Sequence, residues 1–435
     1  MKHTSKLKYI VIFCYLAVAF PFMKSMLQKA EKPNLTGMVL DDKKPVFSLS
    51  DWYHNDYQPA MDDYNNDMWL FKEILLRLNN QLYYKAFNQL RVNGFVAGKN
   101  DFVFSEGYIF SAFGDDYIGR PKILTKLQKA KVLQDTLKKK GIDLMLAFAP
   151  GKGEYYVENI EDKYKHPISH RNYSDYISIS KDLNLNVLNL TPYILNLKSK
   201  SPYPLFTTYG HHWSSYCEAI AADTIIKYIE HLHHCDMPNI KWDGIAVSDT
   251  ARGRDADILK SMNLYENPEQ TMKLGYPNVV FENAPEKNTT RVLTVSGSDW
   301  WGPVYLGIPE HSFAKGQFWY YYNKVIPSPV PGEKVEVWQL DLKQGIESNQ
   351  VIMLLYSDSN LSDFAGRFIE DAYEMYTDPK TYYAKTEKNR VIKQFEKQIR
   401  EKPALLKKST KKSQNLQIPL DSAIRLDALK FAGIN

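Results

Sequence analysis

The residues able to do chemistry in this chain lie in two short loops. The first runs from Phe206 to Ser215 and reads FTTYGHHWSS, with His211 and His212 adjacent. The second is Ser296, Gly297, Ser298 and Asp299, directly after the apolar run Val292 to Val295. A serine in a tight strand-to-helix turn exposes its hydroxyl, and the N–H groups of the turn can form an oxyanion hole. Serine is a poor nucleophile until an imidazole takes its proton and a third group fixes that imidazole's tautomer. The expected pair is therefore Ser298 as nucleophile and His212 as base. Taken singly each loop is ordinary, because SGSD is common turn composition and a loop histidine is commonly a surface residue. The expectation is that the two converge.

Convergence needs elements that bring the loops to one edge. From Ser214 onward Ala219, Ile220, Ala222, Ile225, Ile226 and Ile229 recur at helical spacing, and the serines before them suit an N-cap. Upstream, the apolar residues Ile123, Leu124, Leu127, Val132, Leu133 and Leu137 predict a helix over 121–140, stopped by Gly141. The nearly continuous apolar run 142–149 then reads as a strand covered on both faces. A hairpin is expected over 94–104, a helix over 173–182, and further strands over 185–190, 291–296 and 350–356. Alternating helices and apolar strands give an α/β, doubly wound, mostly parallel sheet flanked by helices. Ligands in such sheets sit at the carboxyl ends of the strands. The loops 150–154, 296–301 and 357–363 qualify, and the histidine loop must reach the same edge.

Composition narrows the partners. The formal charge is only +5, but twelve Lys or Arg stand against three Glu between Lys380 and Lys412. The basic excess is local, so no chain-wide nucleic-acid footprint exists. Three cysteines (Cys14, Cys217, Cys235) exclude a disulfide framework. Cys217 and Cys235 are free to pair by count, although the helix between them opposes it. No zinc motif is met, and GKG at 151–153 falls short of a phosphate-binding P-loop. His231, His233 and His234 beside Cys235 read as a helix end rather than a metal site. No metal or organic cofactor is expected. Lys2, Lys6 and Lys8 precede an uncharged apolar run from Tyr9 to Met23, which reads as a signal anchor. The expected divisions are 1–30 anchor, 31–95 linker and N-terminal helix, 96–375 α/β domain, and 376–435 basic helical C-terminal appendage.

Several stretches, in order, resemble the SGNH-hydrolase-like family of alginate O-acetyltransferases and the related proteins named for a DHHW motif. YGHHWS at 209–214 resembles the family's D-x-H-W signature, and GKNDFVF at 98–104 its G-K-D-G-W-L-F hairpin. LAFAPGKGEYY at 146–156 resembles its strand ending in Pro-x-Lys before a tyrosine, and RDADILKSMNL at 254–264 its G-D-L-x-x-M-L-x-L segment. VSGS at 295–298 stands where the family has Gly-Asp-Ser. The resemblance spans about residues 60 to 370 and implies an SGNH-like fold, a nucleophilic Ser298, a basic His212 and an acid two residues before it. That position is Gly210, and Gly297 replaces the aspartate before the serine. Asp257, Asp255, Glu154, Asp299 or a backbone carbonyl remain as groups that could orient His212.

The resemblance also makes His211 and Lys152 auxiliary candidates. Lys152 would either face an acyl or sugar group or lie in solvent. Trp301, Tyr156 and Trp213 are candidate substrate contacts. The implied activity is acyl, chiefly acetyl, transfer or ester hydrolysis on a cell-envelope or exported polysaccharide. It would occur on the periplasmic side, with a membrane-bound acyl-donor protein as partner and the N-terminal helix as anchor to the inner membrane. The alternative is a catalytically degenerate SGNH-like protein that binds glycan or a partner.

Overall fold

The computed structural model describes Lys8, Tyr9, Val11, Ile12, Tyr15 and residues 34–37, 44–67, 71–269 and 272–434. The expected anchor falls almost wholly outside these residues. Among the described residues no helix is long and apolar enough to cross a membrane.

In chain order the strands are β1 (Phe95–Ala97), β2 (Val103–Ser105), β3 (Asp143–Ala149), β4 (Val187–Asn189), β5 (Ile240–Ser248), β6 (Leu274–Phe281), β7 (Val292–Ser296), β8 (Phe318–Tyr320), β9 (Lys324–Ile326) and β10 (Val351–Ser357). Six of them form one sheet in the order β4-β3-β10-β7-β8-β9. It is parallel from β4 to β8, with β9 returning antiparallel at the edge. Every residue of β3 and β10 is buried, as their unbroken apolar runs require of strands covered on both sides.

Two cores sandwich the sheet. On one face Leu127, Leu133 and Leu137 of the helix Arg120–Lys138 pack with Ile369 and Ala372 of the helix Phe368–Thr377. On the other, Ile225, Ile226 and Ile229 of the helix Ser215–His233 pack on Met145, Ala147, Met353 and Leu355. Each fully buried large apolar side chain contributes about 1.5–3 kcal/mol relative to exposure. The helix from Ser215 is thus fixed to the sheet, and with it the loop that precedes it. Leu124 and Val132, expected inward, lie on the exposed side of their helix.

Three elements differ from expectation. The ribbon β5–β6 goes unread because a register shift between Trp242 and Ile245 breaks its alternation. The stretch taken as linker holds the helices Leu49–Tyr53 and Tyr57–Asp67, with Pro59 tolerated in a first turn. The basic C-terminal segment folds into three helices, Pro379–Glu401, Pro403–Leu416 and Leu420–Phe431, around Ile392, Ile399, Ile424 and Ala428. The middle one has too narrow an apolar stripe to declare itself in sequence.

Candidate active site

Ser298 begins where β7 ends. Ser296 is pinned by its hydroxyl, which donates to the Leu355 carbonyl of β10 at 2.6 Å. Gly297 turns the chain into a 3-10 turn at Ser298–Trp300, which the fully buried Trp300 indole anchors. This places Ser298, partly exposed, at the carboxyl edge of the sheet. Its carbonyl accepts a hydrogen bond from Arg254 Nη2 at 3.0 Å. A Cβ at Gly297 would lie 3.1–3.2 Å from the ring and hydroxyl of Tyr321, so that phenol packs directly on the glycine. The phenol hydroxyl thus lies beside Ser298, the next residue, which opposes the rise that burial gives the phenol's pKa. Tyr321 and Tyr322 hold this position with left-handed φ values of 49° and 51° in the β8–β9 turn. That conformation costs non-glycine residues about 1–2 kcal/mol each.

The histidine loop is closed by a bridge between Phe206 and Trp213 and capped by Ser214, whose Oγ accepts the Cys217 N–H at 3.2 Å. Trp213 is buried, and its indole N–H donates to the Asp299 carbonyl at 3.2 Å. That bond ties the histidine loop to the serine loop. His212 Nε2 lies 2.8 Å from Ser298 Oγ, and His212 Nδ1 lies 2.9 Å from Asp257 Oδ2. The other Asp257 oxygen accepts the N–H groups of His211 at 2.8 Å and Ile258 at 2.9 Å. Burial pushes the Asp257 carboxyl up, but its bonds to His212 and His211 outweigh this and hold it below the usual carboxylate range. Serine, imidazole and carboxylate form one continuous chain.

The acid arrives from an unexpected direction. Asp257 opens the short helix Asp257–Met262, carried in the insertion between β5 and β6. That insertion docks on the histidine loop: Ile258 N–H donates to the Tyr209 carbonyl at 3.2 Å, and Thr207 Oγ1 donates to the Asp255 carbonyl at 2.7 Å. Gly210 permits the approach. A Cβ there would meet Thr207 Oγ1 at 2.4 Å and the Asp255 and Arg254 carbonyls at 3.1 and 3.2 Å. No side chain fits at the position where the family signature has its acid.

The remaining candidates have other work. Lys152 is neither solvated nor turned to an open site. It is fully buried, and its ammonium donates to the carbonyls of Val103 (2.7 Å), Thr208 (2.7 Å) and Gly210 (2.9 Å), clamping β2 to the histidine loop. Burial pulls its pKa down to about 7, with the Asp257 charge opposing. Lys152→Met takes the ammonium from the carbonyls of Val103 and Gly210 and leaves that of Thr208 with only the Val103 N–H, at 3.1 Å. We expect it to lower the unfolding free energy by about 3 kcal/mol or more, read by chemical denaturation.

His211 packs edge-on to His212 and Phe95 and against Tyr108, at ring separations of 4.6, 5.6 and 4.8 Å. It acts as an aromatic brace. Burial, then the neighbouring His212, hold its pKa below the usual 6.5. Below that pH the unfolded chain binds a proton that the folded ring refuses, so stability falls as pH drops, by about 1.4 kcal/mol per unit. His211→Phe should flatten this decline between pH 6.5 and 5 in thermal melts.

Asp299 is turned away from His212 and accepts the Ser357 hydroxyl at 2.8 Å. Asp255 caps the helix Ser215–His233 through the Ser215 N–H and hydroxyl, both at 3.1 Å, and Glu154 takes Arg171 as a two-pronged pair at 3.0–3.1 Å. As a substrate contact Trp213 is corrected, whereas Tyr156 stays partly exposed. Trp213 is sealed in the core, and the Tyr156 hydroxyl donates inward to the Phe206 carbonyl at 3.3 Å. Trp301, partly exposed three residues after Ser298, stacks on Tyr305 at 5.7 Å and remains available to a ligand. Tyr321 and Arg254 were missed. Nothing in the spacing of either residue relates it to Ser298.

Residues 96–260 match the family model described as the SGNH hydrolase-like domain of the acetyltransferase AlgX. No curated protein matches the chain. Among solved structures, the O-acetyltransferase domain of Pseudomonas putida AlgJ is 15% identical, covering 65% of this chain and 99% of that one with a TM-score of 0.43. Pseudomonas aeruginosa AlgX is 13% identical over 63% of this chain and 67% of that one, with a TM-score of 0.40. Bacillus cereus PatB1 is 12% identical over 62% and 98%, with a TM-score of 0.38. The matched segment holds His212 and Asp257, Ser298 lies beyond its end, and it is this segment that is similar to the SGNH hydrolase-like domain of the acetyltransferase AlgX.

Proposed function

We propose that this chain is an acyltransferase, with acetyl the leading acyl group, acting on the hydroxyl groups of a cell-envelope or exported polysaccharide. The observation that carries the reading is the chain Ser298–His212–Asp257, at 2.8 and 2.9 Å. Ser298 Oγ attacks the acyl carbonyl of the donor and passes its proton to His212 Nε2. Asp257 fixes the tautomer and stabilises the imidazolium. The oxyanion is held by N–H groups of the Ser298 turn and by the Tyr321 hydroxyl. His212 then protonates the departing donor, leaving an acyl ester on Ser298. A sugar hydroxyl attacks that ester while His212 takes its proton; the acyl–Oγ bond then breaks, and His212 returns the proton to Ser298 Oγ. If water replaces the sugar, the same residues hydrolyse an ester.

A fluorophosphonate probe tests the reading. Wild type should be labelled and Ser298→Ala should not; an unlabelled wild type ends it. Tyr321→Phe removes one oxyanion donor without removing the ring that packs on Gly297. It should lower the acylation rate about 10²-fold with little change in substrate binding, measured by stopped-flow with an activated acetyl ester.

The reading places the working domain, proposed as residues 96–375, outside the cytoplasm on the periplasmic side. Residues 1–30 would anchor it to the inner membrane beside a membrane-bound acyl donor, and 376–435 would form an appendage. Its support is the N-terminal lysines followed by an apolar run. The rival reading, a silent binding protein, drew on Gly210 and Gly297. With Asp257 beside His212, Gly210 no longer favours it.

A further inference from the structure

A cavity of about 670 Å³ opens between the turn at 321–323, residues 337–342 and the helix Pro379–Glu401. That volume falls in the range of small-ligand sites, about 300–1,000 Å³. Its walls are basic and aromatic. Arg367 is spent on Asp371 at 2.9 Å and Lys385 on Glu374 at 2.8 Å. Arg390, Lys393 and Arg425 remain. Among the described residues their only carboxylate neighbour is Glu396, 2.9 Å from Arg425 and 3.6 Å from Lys393. With Glu396 and with Glu336, which holds the Trp338 indole, counted against them, these cations still leave a positive excess.

Arg390 is the most informative of the three. Its Nε and Nη2 donate to the carbonyls of Trp338 at 3.3 Å and Leu340 at 2.8 Å, which fix the guanidinium plane. No carboxylate among the described residues pairs with it. A guanidinium held by carbonyls keeps its full charge and further donors for an oxyanion. Lys393 follows one turn later on the same helix, so the two charges adjoin. Trp338 lines the same space, its indole N–H bound to Glu336, and Tyr322 and Tyr382 line it too. Aromatic rings offer a face to the apolar side of a sugar, and three adjoining cationic side chains match the three oxygens of a phosphate better than a single carboxylate.

We propose that this cavity is a binding site for a phosphorylated sugar. That the sugar belongs to the acyl acceptor rests on the acyl-transfer reading. Tyr321 makes the connection, since it lines the cavity and its ring and hydroxyl pack on Gly297, the residue before Ser298.

Isothermal titration of the full chain in detergent with glucose 6-phosphate, glucuronate, glucose and inorganic phosphate tests the site. Glucose 6-phosphate should bind most tightly. Arg390→Gln should weaken it at least tenfold, as should Lys393→Gln, which disturbs only a 3.6 Å ion pair. Ser298→Ala should bind it as wild type does. Glucuronate bound as tightly would overturn the phosphate assignment, and inorganic phosphate bound as tightly would overturn the sugar. Absence of saturable binding, or binding unchanged in both variants, would overturn the site. Fluorophosphonate labelling without sugar-phosphate binding sinks this inference alone, and the converse sinks the acyl-transfer reading alone.

Discussion

Ser298→Ala and His212→Ala should each lower the rate of acyl-enzyme formation by about 10⁶, and the double variant should be little worse than either. The reason is that the two side chains act as one unit. Without the imidazole, 2.8 Å from Oγ, the hydroxyl keeps its proton at neutral pH. Without the hydroxyl, the imidazole has nothing to activate. A simple pair of independent contributors would instead give multiplied losses. Pre-steady-state kinetics with an activated acetyl ester separates the two cases, because the burst reports acylation alone. Neither substitution should unfold the protein. Ser298 is partly exposed, and the loop is held by Trp213 and Ser214 rather than by His212. A burst that persists in Ser298→Ala would place the nucleophile elsewhere.

How far the sequence reached depends on what kind of information each element carries. β3 and β10 were legible because burial on both faces demands unbroken apolar runs, and 142–149 and 350–356 have them. The helix Ser215–His233 was legible because one buried face imposes a 3.6-residue period. Together these elements place the carboxyl edge where Ser298 sits. The ribbon β5–β6 was illegible for the opposite reason: most of its residues are exposed or half-exposed, so neither face leaves a pattern. Asp257 rides on that ribbon's insertion, and so it could be named only as one acid among several. Lys152 shows a different limit. A lysine between two glycines reads as facing a ligand or lying in solvent, and only the three carbonyls that converge on it make burial tolerable. Tyr321 was missed because its left-handed turn is a tertiary fact with no local marker.

Asp257→Asn should cost about 10⁴ in acylation rate at neutral pH while leaving the hydroxyl and imidazole in place. An amide at 257 cannot stabilise the imidazolium, and its NH₂ can hold His212 in the wrong tautomer, with the proton on Nε2 facing Ser298. The loss should appear in the chemical step and not in substrate binding, since the carboxylate faces the imidazole and two backbone N–H groups. The informative companion is Gly210→Asp in the Asp257→Asn background, which returns an acid to the family's usual position. If sequence alone set the triad, activity would recover. It should not recover here, because a Cβ at 210 would sit 2.4 Å from Thr207 Oγ1 and just over 3 Å from two carbonyls of the 254–255 segment. The added side chain should force that segment away and carry residue 257 with it, lowering thermal stability as well. Recovery of the burst in the double variant would mean that the loop and the ribbon insertion are not committed to each other, and that the glycine at 210 is incidental to where the acid comes from.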